Sequence, residues 1–397
     1  MQASPGEAVV GADAAGPPPP GRWFAAIAGG GTAGHVLPAL AVARALVRRG
    51  HDPSSVHFIG SRRGQERVLI PAAGFGVSLL PGRGLRRRPG LQDLAAGAGL
   101  GLAFLQSLAL LGRSRPAVML AVGGYASLPP ALAAGILRVP VVLLNADAVP
   151  GAANRVLGPF ARASAVAAPG TGLPRAVVTG TPVREEVLGV DRSEAGRRAA
   201  QEELGVPAGR LVLAVWTGSL GSRRVNGAVA GLSRLWSSRA DLAIYHVVGR
   251  RDWPGWDRSA GQAGLKQGGL WYRAVEYEEN MPRLLAAADL AVCRAGASTV
   301  AELAATGLPA LLVPLPGAPG DHQSANARLL AGVGGAVVLA DDECTPEALA
   351  RHLGPVLADP GALAAMARAA SEVGHADAAD QVAALAETWA SAGGWRR

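Results

Sequence analysis

The chain has 397 residues and a formal net charge of +8, and 49% of its residues are hydrophobic while 17% are charged. This composition excludes wholesale disorder, and the length suffices for two domains that each have a core. Two cysteines exclude a disulfide framework and favour a reduced compartment, while the positive charge favours anionic partners or reflects a coding bias toward arginine.

The first 22 residues, MQASPGEAVVGADAAGPPPPGR, form the first segment of the chain. They lack the basic start and the sustained apolar core of a signal peptide. Four consecutive prolines close the segment. Residues 1–22 are therefore predicted to be a disordered extension.

A strand-like run, FAAIAG, opens the first half and leads into Gly29-x-Gly31-x-x-Gly34 and then into a helical pattern, PALAVARALVRRG. Further apolar runs follow at SVHFIG, AVMLAVGG and VPVVLLN. Such alternation predicts a parallel sheet flanked by helices.

The spacing of the first glycine loop is also that of a dinucleotide-binding loop. An NAD site requires an acidic residue at the end of the second strand, and here that strand ends in Gly60-Ser61-Arg62-Arg63. Two arginines suit the 2′-phosphate of NADP, so an NADP-dependent reductase remains an alternative at this point.

Residues 94–111 are uncharged and follow a basic group formed by Arg83, Arg86, Arg87 and Arg88. Three glycines, Gln106 and Ser107 weaken the case for a membrane span. The pattern favours a helix that is buried or lies in the membrane interface, with the arginines facing anionic lipid or simply solvent.

The second half repeats the opening of the first with LVLAVWTGSLGSRRVNGAVAGL, again a strand, a glycine loop and a helix. Charged residues concentrate at 183–198, between the halves. The sequence therefore predicts an α/β protein with two Rossmann-like domains, at 23–185 and 186–377, and a ligand cleft at the carboxyl ends of their strands.

The segment CRAGASTVAELAATGLPALLVPLPGAPGDHQSANA carries the most specific pattern of polar residues. A strand ends at Arg294, and a helix follows that Ser298 and Thr299 are expected to cap. The N–H groups at the start of this helix can face a diphosphate, and Glu302 can bind both hydroxyls of a ribose. The next loop offers Asp321, His322 and Gln323 to sugar hydroxyls.

Seven blocks in order, GGGTAGHVLPALAVA, GGYASLP, AVPGAANR, TGTPVR, TGSLGSR, CRAGASTVAELAATGLPALLVP and DHQSANA, resemble the MurG family of UDP-N-acetylglucosamine transferases. That family converts lipid I to lipid II in peptidoglycan synthesis. The resemblance covers nearly the whole chain after residue 22. It implies a GT-B fold in which the C-terminal helix, residues 378–397, folds back onto the first domain.

The resemblance also implies site residues. In the second domain Arg184 and Ser219 would contact the diphosphate of UDP-N-acetylglucosamine, Glu302 its ribose, and His322 and Gln323 its sugar. In the first domain lipid I would be bound by two glycine loops, and His35 is the first candidate for the general base. The residues of those two loops are Gly31, Thr32, Ala33, Gly34, Gly123, Gly124, Tyr125 and Ser127.

The implied chemistry is an inverting displacement at the anomeric carbon by the 4-hydroxyl of the muramic sugar. No Asp-x-Asp motif is present, so neither a metal nor another cofactor is expected. The implied partners are UDP-N-acetylglucosamine, lipid I and an anionic membrane surface, with no nucleic acid, and the implied location is peripheral on the cytoplasmic face of the membrane.

The sequence departs from the family at three places. Residues Leu144-Asn145-Ala146-Asp147 replace His-Glu-Gln-Asn, so that Asp147, a second candidate catalytic residue, stands where the family has Asn. Thr217 and Leu220 replace Gly and Gln in the second glycine loop. A related transferase with another acceptor, or a non-catalytic scaffold or sensor, therefore remains an alternative.

Overall fold

The computed structural model describes residues 22–31, 33–82, 91–256 and 268–393. Thr32, the basic group Arg83 to Arg88 and the N-terminal extension as far as residue 21 lie outside the described residues. The expectations for these parts of the chain stay predictions.

The first domain is built on a parallel sheet in the order β3-β2-β1-β4-β5-β6-β7. The strand order reverses between β1 and β4, and the carboxyl ends of these two strands lie side by side. The strands are β1 (Ala25–Ala28), β2 (Val56–Ser61), β3 (Gly76–Leu80), β4 (Val118–Ala121), β5 (Val141–Asn145), β6 (Ala163–Val166) and β7 (Ala176–Val178).

Helices cover both faces of this sheet, which is why β1, β2, β4, β5 and β6 are buried along their whole length. One layer contains α1 (Ala33–Arg48), α2 (Glu66–Ala72) and the last helix of the chain. The other layer contains α3 (Leu91–Ser114), α4 (Leu128–Ile136) and α5 (Ala152–Leu157).

Two short helices, α6 (Glu185–Leu188) and α7 (Glu194–Glu203), connect the first sheet to a second parallel sheet in the order β10-β9-β8-β11-β12-β13. Its strands are β8 (Leu211–Trp216), β9 (Leu242–Val247), β10 (Trp271–Val275), β11 (Leu290–Cys293), β12 (Ala310–Leu312) and β13 (Ala336–Val338). The remaining helices are α8 (Arg223–Leu235), α9 (Met281–Ala287), α10 (Ala297–Thr306), α11 (His322–Ala331), α12 (Pro346–Ala358), α13 (Pro360–Glu372) and α14 (Ala378–Ala392).

Helix α14 leaves the second domain and packs against α1, β4 and β5 of the first. Val382 and four alanines of α14 are buried in the first-domain core. At the edge of this contact Arg48 pairs with Asp380 of α14 at 2.9 Å and also with Glu185 of α6. The two domains are therefore joined by the connecting segment, by α14 and by ion pairs.

Helix α3 contains the uncharged segment 94–111. Ala103 and Leu111 are buried against the sheet, while Leu102 and Leu105 are 49% and 61% exposed. One face of the helix thus belongs to the core and the other is open. Among the described residues, no helix combines enough length and hydrophobicity to cross a membrane.

Candidate active site

The first glycine loop follows β1, and its backbone takes conformations that favour glycine, with φ of +148° at Gly30 and +98° at Gly31. The backbone N–H of Gly31 donates to the Glu66 carboxylate, with 3.0 Å between N and Oε2. This N–H is therefore not available to an acceptor diphosphate, and the place of Gly31 in an acceptor-binding loop stays a prediction. Gly34 lies in the first turn of α1 and is partly exposed.

The loop after β4 lies directly beside the first glycine loop. A Cβ at Gly124 would come within 2.6 Å of the Gly30 carbonyl oxygen, so only glycine permits this approach. Tyr125 is partly exposed and donates its hydroxyl to Ser61 Oγ at 2.8 Å. Ser127 is wrongly predicted as a cleft residue, because it is fully buried and donates to the Gly124 carbonyl at 2.8 Å.

His35 lies in the first turn of α1 and faces the loop after β4. Its ring atoms would lie 3.2 Å and 3.3 Å from a Cβ at Gly123. Burial lowers the pKa of His35 below its usual 6.5, Asp147 opposes this shift, and His322 of the second domain adds to it. A neutral imidazole that can accept a proton therefore stands where groups from both domains converge.

Asp147 follows β5 and meets the second domain through Asn326 of α11. Asn326 donates to Asp147 Oδ1 at 2.9 Å and to the Ala295 carbonyl at 3.1 Å, and it accepts the N–H of Ala148 at 2.7 Å. Asn145 donates to the Asp147 carbonyl at 2.6 Å and so supports the loop from behind. The departure from the family at Asp147 thus lies at the contact between the domains.

Arg184 and Glu302 form a hydrogen-bonded ion pair although 118 positions separate them. Glu302 is 9% exposed, and its Oε1 accepts from Arg184 Nη2 at 2.8 Å and from Nε at 3.2 Å. Burial raises the pKa of Glu302, and the Arg184 guanidinium opposes that rise. Both bonds go to Oε1, so Oε2 takes no part in the pair.

The second glycine loop follows β8 and exposes Ser219, where a ligand can reach it. The φ values of Gly218 and Gly221 are +88° and +87°, whereas Thr217 does not adopt a positive φ. The replacement of the family's Gly by Thr217 therefore does not strain the backbone of the loop. Arg294 connects this loop to the end of β12 by donating to Ser222 Oγ at 2.7 Å and to the Val313 carbonyl at 3.1 Å.

The loop before α11 places His322 and Gln323 on the second-domain side of the cleft, both partly exposed. His322 Nδ1 lies 2.8 Å from the Pro319 carbonyl, and Gln323 Oε1 accepts the N–H of Leu315 at 2.9 Å. These contacts orient both side chains and leave His322 Nε2 and the Gln323 amide nitrogen for a ligand.

The start of α10 differs from the sequence prediction. Its N-cap is Gly296, which provides no side-chain cap, and Ser298 Oγ is buried with no hydrogen-bond partner. Ser298 and Thr299 are therefore wrongly predicted as caps. The helix begins directly after the Ala295 carbonyl that Asn326 holds.

A cavity of about 250 Å³ lies between the domains, next to the contact between Asp147 and Asn326. Its wall is mainly apolar and comes from the ends of β6 and β7, from α10 and from the end of α13, with Glu372 and His375 as its ionisable residues. A site without arginine or lysine does not suit a diphosphate, so the charged groups of the open cleft are better placed for one.

The site contains three residues whose roles sequence reasoning missed, and each of them bonds at least one group that is distant in the chain. These are Glu66, which holds the first glycine loop, Arg294, which holds the second, and Asn326, which joins the domains. For Glu66 the available signal was the pair of glycines at 60 and 64 on either side of a strand end.

Comparison with known proteins supports a glycosyltransferase. Residues 25–166 match the glycosyltransferase family 28 N-terminal domain, and residues 212–382 match the C-terminal domain of that family. A crystal structure of Acinetobacter baumannii MurG aligns with a TM-score of 0.72 and 28% identity, covering 93% of this chain and 100% of that one. The glycosyltransferase of kitacinnamycin, at 17% identity and a TM-score of 0.65, shows the same fold.

Two relatives extend this similarity over almost the entire chain. A Nocardia farcinica protein is 40% identical over 367 residues, covering 91% of this chain and 94% of its own length. A Mycobacterium tuberculosis protein is 40% identical over 379 residues, covering 93% and 90%. Both are named UDP-N-acetylglucosamine–N-acetylmuramyl-(pentapeptide) pyrophosphoryl-undecaprenol N-acetylglucosamine transferase.

Proposed function

The chain belongs to the family of UDP-N-acetylglucosamine–N-acetylmuramyl-(pentapeptide) pyrophosphoryl-undecaprenol N-acetylglucosamine transferases, and on this premise we propose that it converts lipid I to lipid II. The observation that carries the proposal is 40% identity over 91% of the chain. Membership of a transferase family excludes the NADP-reductase alternative. The two parallel sheets and the similarity to MurG confirm the predicted α/β fold of the GT-B type.

The second domain would bind the donor. Glu302 Oε2 would accept hydrogen bonds from the ribose hydroxyls while Arg184 holds Oε1. Arg184 and the exposed Ser219 would bind the diphosphate, where charge-assisted hydrogen bonds are strong. His322 and Gln323 would contact the transferred sugar with the polar atoms that their loop contacts leave free.

In the reaction the 4-hydroxyl oxygen of the muramic sugar would attack the anomeric carbon as the bond to the UDP oxygen breaks. The configuration then changes from α to β, and the hydroxyl proton passes to neutral His35. Negative charge grows on the departing UDP, and Arg184 and the backbone N–H groups of the second domain would stabilise it. Asp147 would stabilise the imidazolium that forms, since a carboxylate favours the charged form of a nearby histidine.

Turnover of defined acceptors tests this proposal. The purified protein, given UDP-N-acetylglucosamine and a short-chain lipid I analogue, should release UDP and form the β-linked disaccharide product. An analogue with a methylated muramic 4-hydroxyl serves as the control and should give no product. UDP release without a disaccharide, or transfer to an unrelated acceptor alone, would favour the related transferase with another acceptor.

We also propose that the helical layer α3–α4–α5 binds the membrane surface that carries lipid I. Seven large apolar side chains of this layer and its loops are exposed, and Ile136 and Phe160 are the most open at 65% and 69%. Exposed arginines follow both side chains in the sequence, Arg138 two positions after Ile136 and Arg162 two positions after Phe160. Apolar groups with basic neighbours suit an anionic lipid surface. The seven side chains are Leu102, Leu105, Leu132, Ile136, Leu137, Val156 and Phe160.

Sedimentation with vesicles tests this surface. The double variant Ile136→Ser with Phe160→Ser should bind vesicles containing phosphatidylglycerol less than the parent does. Val68→Ser is the matched control, because Val68 is 62% exposed but lies on α2 in the opposite layer. Equal loss of binding in the control and the double variant would refute the assignment of this face.

A further inference from the structure

Glu66 is the first residue of α2, and its side chain is completely buried beneath the first glycine loop. Its Oε1 accepts the backbone N–H of Ser61 at 2.7 Å, and its Oε2 accepts that of Gly31 at 3.0 Å. The two donors come from the ends of β2 and β1, neighbouring strands of the sheet. One carboxylate therefore joins the carboxyl ends of both strands.

Three glycines make room for this carboxylate. A Cβ at Gly30, Gly60 or Gly64 would come within 2.3, 2.4 or 1.9 Å of the Glu66 side chain. Such distances are shorter than any non-bonded contact, so each position requires glycine while Glu66 is present. The glycines at the ends of β1 and β2 thus provide the space that the Glu66 side chain occupies.

One N–H donor to the Glu66 carboxylate comes from the glycine loop, at Gly31, and the other comes from the end of β2, at Ser61. An anion held in this way resembles a phosphate oxygen bound by such a loop. Burying a charged group is costly unless hydrogen bonds replace its water, and the two backbone donors provide that replacement. The inner anion position of the first loop is therefore already filled. A nucleotide phosphate cannot occupy it while Glu66 remains.

The contact extends to the neighbouring loop of the cleft. Ser61, whose N–H binds Glu66, accepts the Tyr125 hydroxyl through Oγ at 2.8 Å. A Cβ at Gly31 would lie 3.7 Å from Tyr125 Cε1. Glu66 thus fixes, through Gly31 and Ser61, the relative position of the two loops that face the first-domain side of the cleft.

We propose that Glu66 is a positioning residue for the acceptor. Its carboxylate fills the anion position of the first glycine loop and so fixes the surface on which the acceptor binds. The acceptor diphosphate then binds the outer side of the loops, and nucleotide binding is confined to the second domain. The identity of the acceptor rests on the proposed function, whereas the filling of the loop does not.

Removal and replacement of the carboxylate test this proposal. Glu66→Ala should lower kcat/KM for the lipid I analogue about 100-fold, since two hydrogen bonds to a charged group are lost, while the KM for UDP-N-acetylglucosamine stays within about twofold. Acetate should restore at least a tenth of the lost activity, and chloride at equal ionic strength should not. Glu202→Ala, at an exposed glutamate of α7, is the matched control.

Glu66→Gln keeps the shape of the side chain and tests the charge if the alanine variant does not fold. Its amide nitrogen faces one of the two N–H donors, so we expect about a tenfold loss in kcat/KM for the acceptor and no rescue by acetate. An unchanged acceptor kcat/KM in this variant, or equal losses for acceptor and donor, would overturn the proposal.

Amide hydrogen exchange separates this proposal from the proposed function. In Glu66→Ala, peptides covering residues 25–31 and 58–64 should exchange faster than in the parent, and acetate should slow them again. Failure of the parent protein to use lipid I would refute the proposed function but leave this measurement valid. Exchange that is unchanged in the variant, or indifferent to acetate, would refute the role of Glu66 in the loop.

Discussion

Replacing Glu302 tests the donor site most directly, because its carboxylate is buried and half engaged by Arg184. If Oε2 binds a ribose hydroxyl, Glu302→Ala removes a charge-assisted hydrogen bond of about 1.5–3 kcal/mol. Each 1.4 kcal/mol corresponds to a factor of ten, so the KM for UDP-N-acetylglucosamine should rise about 10- to 150-fold. Loss of the Arg184 partner adds to this effect, since the guanidinium then lacks its anchor.

The assay is steady-state kinetics at varied donor with a saturating lipid I analogue, combined with calorimetry of UDP binding. Both the KM and the dissociation constant of UDP should rise by a similar factor, because the ribose belongs to the product as well. Glu343→Ala, at an exposed glutamate of the same domain, is the control and should match the parent. Unchanged donor kinetics in a folded Glu302→Ala protein would refute the ribose assignment.

Three further predictions concern the histidine in the cleft and the last helix. Because burial lowers the pKa of His35, the neutral base should persist below pH 6.5, and kcat/KM should fall only at more acidic pH. Asp147→Asn removes a charge that raises the pKa of His35, so the acidic limb of the pH profile of kcat/KM should move to lower pH. A shift to higher pH would contradict the electrostatic interaction between Asp147 and His35. Val382→Ala should lower the free energy of unfolding by about 2 kcal/mol in urea titrations, since two buried methyl groups are lost. The exposed Thr388→Ala on the same helix should change it little, and equal effects would argue against the burial of α14.

The sequence predicts the architecture well because its signals are local. Each glycine loop sits between an apolar strand and a helix, and a parallel sheet brings such loops to one edge. The pairing of Arg184 with Glu302 is a different case: both residues were predicted as donor ligands, but their contact depends on how the connecting segment crosses α10. No local pattern contains that information.

The errors have the same origin. Ser127 follows a glycine loop, as a ligand-binding residue would. Its hydroxyl nevertheless points inward and donates to the Gly124 carbonyl. The roles of Glu66 and Asn326 were missed because both accept hydrogen bonds from backbone N–H groups, which carry no sequence signal. The side-chain partner of Asn326, Asp147, lies 179 positions away. Residues that bind ligands can be predicted from their chemical type and spacing. For Glu66, which binds backbone groups, the main sequence signal is the glycines that make room for its side chain.

The return of α14 to the first domain bears on how the protein is made. Synthesis proceeds from the N-terminus, and domains generally fold as they emerge from the ribosome. Here one layer of the first-domain core is incomplete until residues 378–392 have been translated, because Val382 and the alanines of α14 follow the second domain in the sequence. A ribosome that stalls before residue 378 would release a chain whose first domain exposes an apolar groove, and such a product is a natural target for proteases and chaperones.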